Sequence, residues 1–265
     1  MPAAPRVSPS QLFTPAEWAP FQTRSAWRGP LLVAHCWGII ALAVLAGVLW
    51  PILIPLCVMV IGTRQLGLAI LMHEAAHGAL AKDLKLNDWL GHWLCAVPIG
   101  ADLGDYRPYH LSHHKYAQNP EDPDLVLSAP FPVTRASLRR KIIRDLTGQT
   151  FLKQRGNQFA VAWKGLQAML SGAQDTAPSA KRDHSAGTPL NRNGAAGVAA
   201  PVVDLEGAKR TTRTVGRFLL IQLIVLLVSL ATLGIWPFLI WLAALATTFQ
   251  MILRIRNIAE HACTT

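Results

Sequence analysis

Residues 52–77 read ILIPLCVMVIGTRQLGLAILMHEAAH, an apolar run that ends in two histidines. The apolar part, residues 52–72, is long enough to cross a membrane as a helix, because about 20 apolar residues span the hydrocarbon layer. His73 and His77 follow at a spacing of four, which places both imidazoles on one helix face about one turn apart. The stretch therefore predicts a membrane-spanning helix that presents two histidines at the membrane surface.

Another apolar run, residues 31–50, precedes this helix with almost no residues between the two. Pro51 and Pro55 interrupt the pattern, so we expect a tight transmembrane hairpin over residues 31–72. No small-residue cleavage site follows the first run, and we therefore expect it to remain as an anchor. Residues 1–30, with several prolines and three arginines, form an N-terminal arm before it.

Two more apolar runs, separated only by GIWPF, predict a second hairpin over residues 218–253. The tips of both hairpins carry no charge, whereas their flanks are basic, and the positive-inside rule places basic flanks in the cytoplasm. The sequence thus predicts an all-α integral membrane protein with four spans, both termini in the cytoplasm and a histidine-rich cytoplasmic cap. The chain then divides into an arm 1–30, a hairpin 31–72, a cytoplasmic region 73–217, a hairpin 218–253 and a C-terminal segment 254–265.

The composition fits a membrane protein. Apolar residues make up 51% of the chain and charged residues only 15%, with nine tryptophans. The net charge of +10 comes without any nucleic-acid-binding signature, so we expect no nucleic acid partner. The four cysteines are far apart and show no C-x-x-C spacing, which indicates small apolar core residues and not a disulfide framework or a thiolate metal site.

A further group of histidines lies in residues 105–124, which read DYRPYHLSHHKYAQNPEDPD. His110, His113 and His114 stand at i, i+3 and i+4, so in a helix their imidazoles emerge from one face. Neutral imidazoles that converge in this way bind transition metals. We predict a metal site formed by this group together with His73 and His77.

The literal pattern H-E-x-x-H also supports an intramembrane zinc protease, with His73 and His77 as ligands and Glu74 as general base. Such an enzyme needs a third ligand, often an aspartate on a distant helix, and the later spans contain no acidic residue. A protease of this kind also does not require the HLSHH group as ligands. Three isolated histidines are expected to bind no metal, namely His35, His92 and His184.

The cytoplasmic region contains three other recognisable stretches. Residues 88–101 are apolar and aromatic but too short to span, and we expect an interfacial or re-entrant segment. Residues 134–155 form a basic amphipathic pattern, which fits either a helix on an anionic membrane surface or ordinary packing against the metal region. Residues 174–207 are rich in Ala, Gly, Pro, Ser, Asn and Thr, and predict a flexible loop.

The C-terminal stretch RIRNIAEHACTT adds Asn257 and His261, again at i and i+4. The order of HEAAH after a membrane hairpin, HLSHHKYAQNPEDPD, a second hairpin and NIAEH resembles the membrane fatty acid desaturase family. That family also contains related hydroxylases and ketolases. The resemblance covers roughly residues 30–125 and 210–261.

The resemblance implies a non-haem di-iron centre that uses O₂ and two electrons to remove hydrogens from an acyl chain. Its implied metal ligands are His73, His77, His110, His113, His114 and His261, with Asn257 reaching the site directly or through water. It also implies a membrane lipid or acyl substrate and an electron donor such as a ferredoxin or a cytochrome b5-type protein. The acidic run Glu121, Asp122 and Asp124 either orients ligand imidazoles or forms a plain proline-rich turn.

The family pattern includes a third histidine box, H-x-x-H-H, which would follow NIAEH by some tens of residues. The sequence ends at Thr265, so the expectation is a truncated chain that is inactive as given. A non-catalytic membrane remnant is a further alternative. Metal content separates the options, since two irons favour the oxygenase, one zinc the protease and little or none the remnant.

Overall fold

The computed structural model describes residues 8–117, 119–128, 131–172 and 205–261, and this part of the chain is helical without any strand. It contains twelve α-helices, numbered in chain order as α1 Pro9–Leu12, α2 Pro15–Gln22, α3 Arg28–Leu49, α4 Ile54–Ala76, α5 Leu84–Trp89, α6 Leu103–Tyr116, α7 Leu125–Ser128, α8 Arg135–Leu146, α9 Gln149–Leu170, α10 Leu205–Thr232, α11 Trp236–Ala246 and α12 Thr248–His261. A π-helix, Leu90–Ala96, and two short 3₁₀ helices, Pro51–Leu53 and Val97–Ile99, connect them.

Among the described residues, four helical stretches are long and apolar enough to cross a membrane, and they are Arg28–Leu49, Pro51–Ala76, Leu205–Thr232 and Trp236–Glu260. This confirms the predicted all-α fold with four spans. Large apolar side chains on these helices face outward, such as Ile52 and Leu42, which are 88% and 68% exposed. Such outward residues suit a lipid environment, because hydrocarbon is as apolar as the side chains that meet it.

Small and polar residues join the spans to one another. A Cβ on Gly62 of α4 would lie 2.2 Å from Oγ1 of Thr248, so glycine allows α4 and α12 to approach closely. The Thr248 hydroxyl donates to the carbonyl of Val58 at 2.8 Å. Gln65, fully buried on α4, donates to the carbonyl of Trp241 on α11 at 3.1 Å. These contacts hold the two hairpins against each other.

The last span is broken. Helix α11 ends at Ala246, and Thr247 (φ −122°, ψ −83°) turns the chain before α12 begins at Thr248. The Thr247 hydroxyl donates to the carbonyl of Ala243 at 2.6 Å, which satisfies part of the interrupted helix end. Helix α12 packs against both α4 and α8.

The segments of the predicted cytoplasmic region are also helical. The amphipathic stretch 134–155 is divided between α8 and α9 at Gly148, whose φ of +75° ends a continuous helix. Helix α10 begins at Leu205, within the last residues of the predicted loop 174–207. The rest of that loop lies outside the described residues. The segment 88–101 packs its π-helix on α4, with Gly91 against Ala75.

Candidate metal centre

Helices α4 and α6 bring four histidines together, namely His73, His77, His110 and His114. One nitrogen of each ring lies within 4.8 Å of the corresponding nitrogen of every other ring. Nε2 of His110 is 2.9 Å from Nε2 of His77 and 2.9 Å from Nε2 of His114. The ring of His73 packs edge-on against that of His110, with centroids 4.3 Å apart. His110 is therefore the central member of the cluster.

The sequence places these rings through two local features. His73 lies in the last turn of α4 and His77 is its C-terminal cap, so both project where the helix ends. Helix α6 begins at Asp102, whose carboxylate accepts the backbone N–H groups of Gly104 and Asp105 at 2.8 and 3.3 Å. Since His110 and His114 are four residues apart on α6, both face the end of α4.

Arg107 fastens the two helices together beside the cluster. Its guanidinium donates to the carbonyls of Ala75 and Ala76 at 2.9 and 3.1 Å, and both carbonyls belong to the last turn of α4. It also pairs with the carboxylate of Asp88, whose Oδ2 lies 3.3 Å from Nη1. Arg107 thus connects the last turn of α4 with the first half of α6, next to His77 and His110.

Asn87 orders the chain that follows His77. It is fully buried, donates to the carbonyl of Ala75 at 3.0 Å and accepts the N–H groups of Leu80 and Ala81 at 3.0 and 3.3 Å. The sequence analysis missed Asn87, Asp88 and Arg107, because single polar residues carry no periodic pattern. The spacing of Arg107 three residues before His110 was the only available signal, since it places both on the same side of α6.

Two histidines of the cluster, His77 and His110, have a lowered pKa. Desolvation, followed by the charges of the neighbouring histidines, lowers the pKa of His110 to about 3. Desolvation and the charge of His73 also lower the pKa of His77. Both rings are therefore neutral near pH 7, which is the form of imidazole that binds metals.

Tyr106 forms one wall of the cluster. Its ring is stacked on that of His110, with centroids 5.1 Å apart and an interplanar angle of 9°. Burial raises the pKa of Tyr106, and the charges of Arg256 and Glu260 on α12 act on the same hydroxyl. The end of α12 therefore lies on the same side of the molecule as the histidines.

His113 has a different environment from the other two histidines of HLSHH. Its Nδ1 is 2.7 Å from Oδ1 of Asp122 and 3.5 Å from Oδ2 of Asp124, and both carboxylates are almost buried. The hydroxyl of Tyr109 donates to Asp124 as well. The acidic run after HLSHH therefore contacts a histidine of this group, which is the arrangement that orients the opposite ring nitrogen toward a metal.

The remaining sequence-predicted residues lie apart from the cluster or outside the described part of the chain. His35 is exposed on α3. His92 lies beside Trp93, and its Nδ1 is 4.0 Å from Asp102. Asn257 is half-buried on α12, while the side chain of His261 and all of His184 are outside the described residues. Cys36, Cys57 and Cys95 are buried, and Cys263 lies outside the described residues.

The donor set fits a transition metal of the first row. Four imidazole ligands suit iron, zinc, copper or nickel, whereas magnesium and calcium require oxygen ligands. In the H-E-x-x-H stretch, Oε1 of Glu74 is 3.1 Å from Nδ1 of His73. Glu74 thus contacts a histidine of the cluster and can fix its ring orientation, as carboxylates do beside metal-bound histidines.

Comparison with known proteins agrees with this geometry. A model of the fatty acid desaturase family matches residues 48–265. Dihydrorhizobitoxine desaturase of Bradyrhizobium elkanii is 41% identical over 101 residues, which are 37% of this chain and 28% of that protein. The sn-1 oleoyl-lipid 12-desaturase of Arthrospira platensis is 32% identical over 69 residues, 26% of this chain and 19% of that protein.

The aligned parts span less than a third of the length of these two curated relatives. No solved structure gives a significant match. The family model, in contrast, covers most of the chain, including both histidine stretches and the second hairpin. From this coverage, and from the meeting of HEAAH and HLSHH at the end of a membrane hairpin, it follows that the chain belongs to the fatty acid desaturase family.

Proposed function

We propose that this protein is a membrane-bound non-haem di-iron oxidoreductase that desaturates an acyl chain with O₂ and two electrons. The observation that carries the proposal is the cluster of four imidazoles at the end of a membrane hairpin. A substrate made mostly of hydrocarbon is dissolved in the bilayer, and a site at the membrane surface can receive it directly.

The residues proposed to hold the two irons are His73, His77, His110 and His114, with His113 and His261 as further ligands and Asn257 directly or through water. Iron in such a site supplies an oxidant strong enough to remove hydrogen from an unactivated C–H bond. His113 is included because its contact with Asp122 fixes one ring nitrogen and leaves the other for a metal. The proposed site holds two ions, because it contains more histidines than one metal ion needs.

The other residues of the site position and protect these ligands. Arg107 and Asp88 hold the end of α4 on α6, so that His77 and His110 remain 2.9 Å apart between their Nε2 atoms. Tyr106 covers one face of His110 and excludes water from it. Burial keeps His110 neutral and ready to bind a metal without first losing a proton.

The proposed substrate is a membrane lipid or another acyl compound. The names of the two relatives describe desaturation of an oleoyl lipid and of dihydrorhizobitoxine. The electrons are proposed to come from a ferredoxin or a cytochrome b5-type protein at the cytoplasmic face, where the positive-inside rule places the histidines. Hydroxylation or ketolation of a lipid would use the same oxidant and differ in where the substrate lies.

The test is to express the chain, and a version extended by an H-x-x-H-H segment from a related protein, in membranes, to purify both with their lipid annulus and to measure metal content and lipid unsaturation. Two irons per chain and new double bonds, both lost in His77→Ala, are the expected results for the extended version. A single zinc per chain with proteolysis that depends on Glu74 would instead establish the protease alternative. Oxygenated products without new double bonds would assign a hydroxylase or ketolase.

A further inference from the structure

A second feature of the molecule adjoins the histidine cluster at His77. It is a cleft of about 640 Å³ between the N-terminal arm and the end of α4. His77 and Glu74 line one wall, and Arg24 and Arg28 line the wall contributed by the arm. The volume is in the range of sites that bind small molecules.

The arm is held in place beside α4 by its own sequence. Gly29, in the first turn of α3, lies so close to Leu80 that an added Cβ would be 1.6 Å from its carbonyl oxygen. The hydroxyl of Ser25 accepts the N–H groups of Trp27 and Arg28 at 3.4 and 3.2 Å, which shapes the turn that carries both arginines. The backbone that carries the two arginines is thus held beside the end of α4.

The two arginines have no acidic partner in the part of the chain that the structure describes. Both are exposed to the cleft opening, and a guanidinium nitrogen of Arg24 lies 3.7 Å from the Cβ position of Gly78, the residue after His77. The one carboxylate in the cleft, Glu74, contacts His73. Two positive charges against one negative charge make the cleft attractive to an anion.

Most of the remaining lining is apolar, apart from Thr23 and Ser25. Phe21 and Leu32 come from the arm and α3, and Leu71 and Leu80 come from α4 and the loop after it. A cationic rim above an apolar wall complements an amphipathic molecule with an anionic oxygen head group and a hydrocarbon chain. An arginine binds carboxylate and phosphate oxygens through paired N–H groups, which fixes the orientation of the head group.

We propose that this cleft binds the anionic head group of the substrate, a carboxylate or a phosphate ester, through Arg24 and Arg28. The apolar wall takes the adjoining carbons, and the chain is directed past His77 toward the histidine cluster. The inference rests on the proposed function for the identity of the bound molecule as substrate, but the binding itself requires neither metal nor turnover.

The experiment measures binding of three twelve-carbon probes by calorimetric titration of the full chain in nanodiscs of neutral lipid, with empty nanodiscs subtracted. The probes are dodecanoate, its methyl ester and dodecyl phosphate. The unmodified protein should bind at least one anion more tightly than the ester. Preference for the carboxylate assigns a free acid, and preference for the phosphate assigns a phosphate head group.

Replacing both arginines with glutamine should weaken binding of the preferred anion by about tenfold to a hundredfold and leave the ester unaffected. The matched control is Arg139→Gln, an exposed arginine of α8 that does not line the cleft. A general attraction of anions to a basic surface would weaken equally in the control, and that result would overturn the proposal.

Equal binding of acid, phosphate and ester to the unmodified protein would also overturn it, whether or not the variants fold. The double variant with lysine at both positions keeps the charge and should retain part of the preference. Because no product is measured, a failure here leaves the oxidoreductase proposal standing. Absence of iron or of double bonds would likewise leave the head-group site intact.

Discussion

Single residues decide whether the histidines can act as one site. His110 is 6% exposed, and its ring contacts three other imidazoles. Its position therefore depends on how α4 and α6, which carry these rings, pack together. Its neighbours include no carboxylate that would favour the charged ring, and burial keeps it neutral. The contacts that surround the cluster are polar and specific, as with Asp122 on His113 and Arg107 on the end of α4.

The first prediction concerns His110. In the version extended by an H-x-x-H-H segment, His110→Ala should reduce bound iron by more than about tenfold and abolish desaturation, because even partners of metal ligands contribute factors of 10 to 100 to affinity. The matched control is His35→Ala, which changes an exposed histidine on α3. Iron content measured by atomic emission in both variants checks the prediction, and normal iron in His110→Ala would contradict it.

The second prediction concerns the carboxylate beside His113. Asp122→Asn keeps the size of the side chain but removes the charge that orients the ring at 2.7 Å, so iron affinity should fall about 10-fold to 100-fold. Glu121→Gln makes the same chemical change one residue earlier on an exposed side chain and should have no effect. Competition with a chelator of known affinity measures both. If the two variants retain iron equally well, the role assigned to Asp122 is wrong.

At the scale of elements, the helix that carries HLSHH is held from two directions. Asp102 at its start accepts a hydrogen bond from Arg217 of α10 at 2.6 Å, and Arg107 joins it to α4. Helix α10 in turn pairs closely with α9 along its first half. On the opposite side, the fully buried Asp145 of α8 pairs with Arg254 of α12 at 2.8 Å, which fixes the helix that carries Asn257.

The third prediction tests the pairing of α9 with α10. A Cβ on Gly165 would lie 2.2 Å from the carbonyl oxygen of Ala208 and 2.3 Å from Oγ1 of Thr212, so Gly165→Ala should destabilise the protein by about 1–3 kcal/mol. Gly156 on the same helix faces open space, and Gly156→Ala should be neutral or stabilising by up to about 1 kcal/mol. Thermal unfolding in detergent compares the two. Equal destabilisation by both would show that the close packing of Gly165 on α10 does not determine the effect.

At the scale of the whole molecule, two hairpins bring the chemically important segments to one end. Helix α4 ends in the histidine pair, and the charges of α12 reach Tyr106 beside it. The hairpin tips near Pro51 and Gly234 lie at the other ends of the spans, and they carry no charged residue. A membrane protein with one basic end and one uncharged end is inserted in a single orientation, because the basic end stays in the cytoplasm.

The fourth prediction is the topology. Reporter proteins fused after Lys115 and after Arg256 should both be cytoplasmic, because basic flanks resist translocation. A fusion after Gly234, at the tip of the second hairpin, should be on the opposite side and serves as the control. Alkaline phosphatase and green fluorescent protein fusions report the two sides. Lys115 and Arg256 on opposite sides would exclude the four-span arrangement.

The sequence alone was enough to predict the four spans, the tight hairpins and which histidines share a helix face. These are local properties, since hydropathy over a span and spacing along a helix require no knowledge of distant residues. Helix α10 starts within the predicted loop 174–207, and Gly148 divides the predicted amphipathic stretch 134–155 into two helices. The boundaries of helices follow from packing and turns, which a composition pattern locates only roughly.

Only the tertiary structure decided which of these side chains meet. His113 and His114 are neighbours in one motif, yet His114 joins the four-imidazole cluster and His113 contacts Asp122. Arg107 caps the end of α4, and Arg24 lies beside Gly78, although long stretches of chain separate each pair. Spacing along a helix defines a face, but the partner of that face is set by how helices pack in three dimensions.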